Sequence, residues 1–207
     1  SGNRDKENII CVFDNCKFKV RVNTTDKIVL WEIFGKKEYN SNKNLRINPS
    51  DTVVDLGANI GAFTVYAAKR AKKVYSYEPL KENFELLKEN VELNNLDNVK
   101  SFNIAVSDKI GEKEFFYSKS NNGGSSLYKK AYSKKSINVS TIPLEEIFIK
   151  NNLERINFLK MDVEGAEYEI FFNLSSSLLK KIDKIVLEFH DNIKVHGHNY
   201  YELLDFL

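Results

Sequence analysis

Asp51-Thr52-Val53-Val54-Asp55-Leu56-Gly57-Ala58-Asn59-Ile60-Gly61 is the stretch from which the rest of the chain can be read. It has the pattern of a short buried strand that breaks on glycine and opens directly into an apolar helix. Glycine lets another group approach the backbone closely, and a helix N-terminus favours negative charge, so the exposed N–H groups of this turn suit the polar end of a cofactor. Downstream the chain repeats the same alternation of strand and helix.

Working outward, the spacing predicts strands over residues 52–56, 73–78, 99–106, 157–161 and 184–189, with helices over 60–70, 80–94 and about 166–174. In the second helix Leu80, Phe84, Leu87 and Val91 recur at spacings of four, three and four, one helical face turned to a sheet. This alternation predicts an α/β fold with a mostly parallel, doubly wound sheet covered by helices on both faces. Extended runs at 114–117 and 137–141 flank residues 118–136, which are rich in Ser, Asn, Gly and Lys without a clear period and are expected to form a mobile loop. Pro143 is placed to open a short helix. Tyr200, Leu203, Leu204 and Leu207 keep a helical period to the last residue with no stop signal, which predicts that the natural chain continues.

Upstream, residues 9–13 and 17–22 alternate apolar and polar side chains and read as a half-buried hairpin. A two-residue loop at Asp14-Asn15 pairs Phe13 with Cys16 and Cys11 with Phe18, leaving the sulfurs too far apart for a relaxed disulfide, so both cysteines are expected as free thiols. Thr25 or Asp26 caps a short helix whose Ile28, Leu30, Trp31 and Phe34 are expected to pack on the main sheet. Residues 1–50 are therefore read as a hairpin, helix and linker packed on a domain formed by residues 51–207.

Composition narrows the function classes. A chain of 207 residues holds one sizeable core, and its 31 basic and 29 acidic residues leave a net charge of only +2, so no global field recruits nucleic acid or anionic membrane. No apolar run approaches the roughly 20 residues of a membrane span, and nothing resembles a signal peptide; a cytoplasmic protein is the default expectation.

Four predicted strands end in an acid or an imidazole: Asp55, Glu78, Asp162 with Glu164, and Glu188 with His190. Each alone is more often a cap or an ion-pair partner, but together they point to one cleft outside the carboxyl ends of the sheet. Asn59 stands where a dinucleotide fingerprint has its second glycine, which argues against a pyrophosphate crossing the turn and favours a smaller cofactor end such as an amino-acid group. Glu78 follows about twenty residues on, where an acid accepts bonds from ribose hydroxyls. A nucleoside joined to an amino acid is S-adenosylmethionine.

The segments Val53-Val54-Asp55-Leu56-Gly57-Ala58-Asn59-Ile60-Gly61, Tyr77-Glu78-Pro79, Asn103-Ile104-Ala105-Val106-Ser107-Asp108 and Leu159-Lys160-Met161-Asp162-Val163-Glu164-Gly165-Ala166-Glu167 resemble the FkbM-type S-adenosylmethionine-dependent methyltransferases. The first segment is shared by many methyltransferases; the Asp-Val-Glu-Gly-Ala-Glu run makes the likeness specific. The resemblance implies a Rossmann-like class I methyltransferase fold and O-methylation of hydroxyls on sugars or natural products. It further implies that Gly57, Asn59 and Gly61 shape the pocket for the methionine end, that Asp55 engages the amine and Glu78 the ribose, and that Asn103 and Ala105 edge the adenine, mostly through backbone. The 103–105 loop lacks the acid that many related enzymes carry there, and the closing pair of strands usual in this fold has no counterpart before Leu207.

In-line methyl transfer gains most from positioning, and an alcohol acceptor must also lose its proton. His190 is the candidate base, because an unperturbed pKa of about 6.5 leaves much of it neutral near pH 7; the plainer reading is a structural histidine bonded to Glu188 or to backbone. Asp162 is the candidate cofactor contact beside the sulfonium, with Glu164 orienting the acceptor or assisting the base. A divalent ion on Asp162, Glu164 and His190 is the weaker alternative, since nothing in their spacing selects a metal and none is assigned. A nucleic-acid methyltransferase would use Lys129, Lys130, Lys134 and Lys135 around Tyr128 and Tyr132, a cluster more often simply solvated. A non-catalytic nucleotide-binding domain is the remaining alternative.

Overall fold

The computed structural model describes residues 8–36, 39, 43–118, 121–127, 135–163, 165–188 and 200–206. The N-terminal alternation forms the hairpin β1 (Asn8–Phe13) and β2 (Cys16–Arg21), closed by Asp14 and Asn15 in the left-handed region at φ 47° and 61°. The register pairs Phe13 with Cys16 and Cys11 with Phe18, as the loop length predicts, and both cysteines are free. Helix α1 (Asp26–Leu30) continues into a π-turn at Trp31–Gly35. It buries Leu30 and Phe34, but Ile28 and Trp31 stay more than half exposed, contrary to the expectation that all four pack. At about 100° per residue, Leu30 and Phe34 share one side of the helix and Ile28 and Trp31 fall on the other.

The core continues as β3 (Thr52–Leu56), α2 (Ala62–Ala68), β4 (Lys73–Tyr77), α3 (Lys81–Leu93) and β5 (Val99–Phe102). Next come β6 (Ala105–Ser107), β7 (Gly111–Ser118), β8 (Asn121–Ser126), β9 (Lys135–Pro143) and α4 (Leu144–Lys150). The chain then forms β10 (Phe158–Met161), α5 (Glu167–Phe172), α6 (Ser176–Leu179), β11 (Ile185–Leu187) and α7 (Tyr200–Phe206). The main sheet is parallel in the order β11-β10-β3-β4-β5, so the chain reverses direction across the sheet between β3 and β10. That order is the doubly wound, Rossmann-like arrangement, and its switch point lies above the carboxyl ends of these two strands. No helix among the described residues is long and apolar enough to cross a membrane.

Period-two alternation sorts the sheet into two faces. Val53, Val74 and Phe158 face a cluster that includes Phe18, Val20, Leu30, Phe34, Phe63 and Tyr66, so the hairpin and α1 share one core with α2. Val54, Leu56, Tyr75, Tyr77, Leu159 and Met161 face the other layer, which contains α4 and α5.

Three further local expectations differ from the fold. The run 99–106 is two strands: β5 stays in the main sheet, and β6 pairs parallel with β9 in a second sheet ordered β6-β9-β7-β8. At the break Asn103 donates through Nδ2 to the carbonyls of Glu78 and Pro79, at 2.9 Å each, which ties this loop to the end of β4. Within the polar stretch 118–136, residues 121–126 pair antiparallel with β7 as β8, an order supplied by the neighbouring strand; 119–120 and 128–134 lie outside the described residues.

The third difference is the face of α3. It buries Asn83, Leu86, Leu87 and Asn90, with Asn94 buried just beyond its end, while Phe84 and Val91 are only half-buried. Asn90 and Asn94 serve the open edge of β2. Asn94 accepts from Lys17 N at 3.0 Å and donates to Lys17 O at 2.7 Å. Asn90 accepts from Lys19 N at 2.6 Å and donates to the carbonyls of Lys19 at 3.3 Å and Ile60 at 2.8 Å. A row of side-chain amides thus stands in for a third strand, because buried backbone groups left unpaired would cost about 1–3 kcal/mol each.

Candidate functional site

The turn after β3 is held from both sides. Gly57 N and Ala58 N both donate to Tyr77 O at 3.0 Å, and Asp162 N donates to Leu56 O at 3.0 Å. Gly57 sits at φ +73°, and a Cβ there would stand 1.8 Å from the carbonyl oxygen of Asp162, so only glycine lets the β3 and β10 loops meet. Asn59 is also left-handed, at φ 52°. Its backbone N–H donates to Glu78 Oε2 at 2.8 Å, while its side-chain Oδ1 is buried with no hydrogen-bond partner among the described residues.

Glu78 is buried at the end of β4. Its Oε1 accepts from Leu80 N at 2.8 Å and from Asn83 Nδ2 at 3.4 Å. Burial pushes the carboxyl up to about 7 against the pull of these donors and of Lys160. A carboxylate has about four lone-pair positions, so three protein donors leave room for a ligand hydroxyl.

Beneath the turn, the parallel register sets Lys160, Asp55 and Ser76 side by side on one face of the sheet. Thr64, on α2, donates to Asp55 Oδ2 at 2.7 Å and meets Ser76 Oγ at 2.9 Å. The Lys160 ammonium lies 3.5 Å from Asp55 Oδ1 and 3.6 Å from Asp162 Oδ2, and donates to Gly57 O at 3.3 Å. Burial pushes the Asp55 carboxyl above its ordinary range against the pull of Lys160. For Lys160 burial acts downward, but the Asp55 and Asp162 carboxylates outweigh it and keep the ammonium charged.

The turn borders a cavity whose lining combines two chemical kinds of residue. Gly57, Asn59, Glu78, Asn83 and Asp162 contribute polar groups, while Tyr77, Pro79, Ile104, Ala105, Val106, Phe115, Leu127 and Val163 contribute mostly apolar ones. Asp162 Oδ1 is a second buried acceptor without a partner among the described residues.

Of the residues singled out by sequence, Gly57, Asn59, Glu78, Ala105 and Asp162 therefore converge on one cavity. Asp55 does not line it. This carboxylate is fully buried under the turn, where Thr64 donates to its Oδ2 and Lys160 stands beside its Oδ1, which has no hydrogen-bond partner among the described residues. Gly61 instead packs on α3, where an added Cβ would stand 3.2 Å from Leu87 Cγ, and Asn103 binds backbone outside the lining. Glu164 and His190 lie outside the described residues, as do Lys129, Lys130, Lys134, Tyr128 and Tyr132.

Sequence reasoning missed Asn83 and Lys160. Lys160 carried a signal, since a lysine among the apolar residues of 158–161 needs a buried partner. Asn83 carried none.

The model of the methyltransferase FkbM domain matches residues 55–207. The chain belongs to this family. Among its relatives by sequence, the AMB antimetabolite synthetase AmbE of Pseudomonas aeruginosa is 29% identical over 201 residues, covering 79% of this chain and 9% of that protein. The 31-O-demethyl-FK506 methyltransferase FkbM of Streptomyces tacrolimicus is 25% identical over 191 residues, covering 77% of this chain and 73% of that protein. In structure the chain is similar to a methyltransferase FkbM from Methylobacillus flagellatus KT, with a TM-score of 0.45 and 17% identity over 64% of this chain and 31% of that one. The chain thus spans only 9% of AmbE and 31% of the Methylobacillus protein.

Proposed function

We propose that the chain is an S-adenosylmethionine-dependent O-methyltransferase acting on a hydroxyl of a sugar or another small natural product. The observation that carries the cofactor assignment is the polar lining of the cavity: Asn59 Oδ1 and Asp162 Oδ1 are buried without donors among the described residues, and the Glu78 carboxylate, with three protein donors, has room for another. S-adenosylmethionine brings ribose hydroxyls, an ammonium and a cationic sulfur, which match that set in kind and charge. A pyrophosphate is acceptor-only and would meet three acceptors.

In this reading Glu78 holds the ribose, Asn59 and Asp162 meet the methionine end, and the apolar wall around Ile104 and Ala105 takes the adenine. Asp55 and Lys160 act from below by holding Asp162 and the turn in place. When bound, the cofactor supplies an electrophilic methyl group on a sulfonium. The chain's own contribution is to align the acceptor oxygen and take its proton, with His190 as base and Glu164 as its aid. The S. tacrolimicus relative is named for an O-demethyl natural product, which supports the acceptor class.

Calorimetric titration with S-adenosylhomocysteine and with NAD tests the cofactor. Binding of the first and not the second is expected; the reverse sinks the proposal. Transfer of labelled methyl to a panel of sugar and small-molecule hydroxyls tests the acceptor class. Transfer to RNA alone would replace it. The variant His190→Ala is expected to cut turnover far more than cofactor affinity, and unchanged turnover removes its assigned role.

A further inference from the structure

The N-terminal hairpin reaches the cavity through buried polar contacts. Arg21 ends β2 and Asp26 opens α1, and both side chains are buried. Arg21 Nε donates to Asp26 Oδ2 at 2.9 Å and Nη2 to Asp26 Oδ1 at 2.7 Å, while Arg21 backbone N donates to Oδ2 at 2.8 Å. A two-point pair of this kind fixes the plane of the guanidinium. The same Nη2 donates to Asn83 Oδ1 at 2.9 Å, across 62 residues of sequence. Asn83 in turn lines the cavity and donates through Nδ2 to Glu78 Oε1 at 3.4 Å.

The direction of this chain follows from chemistry. A guanidinium can only donate, so it compels the Asn83 carbonyl to face Arg21. The amide nitrogen is then left to face the Glu78 carboxylate. With the guanidinium removed, the side-chain amide keeps only its 3.4 Å bond to Glu78 among the described contacts, and it is freer to swing away from the carboxylate.

We infer that Arg21 is a positioning residue of the cofactor site, fixing the Asn83 amide so that Glu78 keeps its carboxylate aimed at the ribose hydroxyls. The inference rests on the proposed S-adenosylmethionine reading. It makes the hairpin part of the site although Arg21 precedes the residues 55–207 matched by the family model.

The test compares S-adenosylhomocysteine with its 2′-deoxy analogue, by calorimetry, in three proteins. In the wild type, loss of the hydroxyl is expected to weaken binding about tenfold or more, as for a hydrogen bond to a charged group. The double variant Arg21→Met with Asp26→Asn removes both charges together, so that neither is left buried alone. It is expected to bind S-adenosylhomocysteine about tenfold more weakly and to discriminate against the deoxy analogue no more than about threefold. Arg21→Lys keeps a cation for Asp26 but lacks the planar fork, and is expected to show the same loss of discrimination. A merely structural Arg21 would lower the thermal midpoint and leave that discrimination intact, so either folded variant with wild-type discrimination overturns the inference. Should the double variant fail to fold, Arg21→Lys alone decides. A wild-type chain with no affinity for S-adenosylhomocysteine overturns the cofactor reading, and with it the inference.

Discussion

Gly57 and Asp162 meet backbone to backbone: a Cβ on Gly57 would stand 1.8 Å from the Asp162 carbonyl oxygen. These two positions are 105 residues apart, and their contact joins the two loops that flank the switch point of the sheet. Gly57→Ala adds the strain of a positive φ, about 1–3 kcal/mol, to that overlap. Loss of at least about 3 kcal/mol in urea unfolding and loss of S-adenosylhomocysteine binding are expected. A variant as stable as the wild type would mean that the loops separate freely.

Lys160 stands between two carboxylates and touches the turn. Lys160→Met leaves the buried Asp55 without its cation, for which about 3–5 kcal/mol of destabilisation is expected. The loss should deepen as pH rises. Asp55 already has a raised folded-state pKa, and removing the lysine raises it further, so the variant's folded state favours the protonated acid. Urea titrations at acid and neutral pH measure the difference, and equal losses at both would remove Asp55 as its source.

Glu78 is held at about 7 in the folded chain, against an ordinary value of 4.5. A raised acid binds more protons folded than unfolded between these values. The unliganded protein should therefore lose stability as pH rises from about 4.5 to 7, by about 3 kcal/mol at most, and the penalty should stay constant above. Ribose hydroxyls donate to the ionised form, so affinity for S-adenosylhomocysteine should rise toward tenfold per pH unit below 7 and level off above it. Glu78→Gln should flatten both profiles, measured by thermal unfolding and calorimetry. A profile that survives the substitution belongs to another group.

Asn94 binds both backbone groups of Lys17. Asn94→Ala leaves them unpaired in a partly buried seam, for which about 1–3 kcal/mol is expected. Amide hydrogen exchange should accelerate at Lys17 and its β2 neighbours before it does in β3 or β4. Uniform acceleration would show that the hairpin opens only with the whole domain.

Local chemistry made much of this protein legible. The β3 run, the break at Gly57, the acid at Glu78 and the acid after β10 were all readable, because each depends on residues within a few positions. Parallel order then follows from crossover handedness, and with it the convergence of Gly57, Asn59, Glu78 and Asp162 at one end of the sheet. Pairing between distant segments decided the rest. A periodicity argument treats asparagine as a solvent residue, yet Asn83 and Asn90 share the buried face of α3 with Leu86 and Leu87, and Asn94 is buried just past its end, because their partners on β2 are 62 to 77 residues away. Lys160 and Asp55 became a buried pair only through strand register, and residues 121–126 became a strand only against β7. Hydrogen-bond demand at a sheet edge and charge compensation under a turn belong to the assembled fold, and no local window of the chain contains both partners.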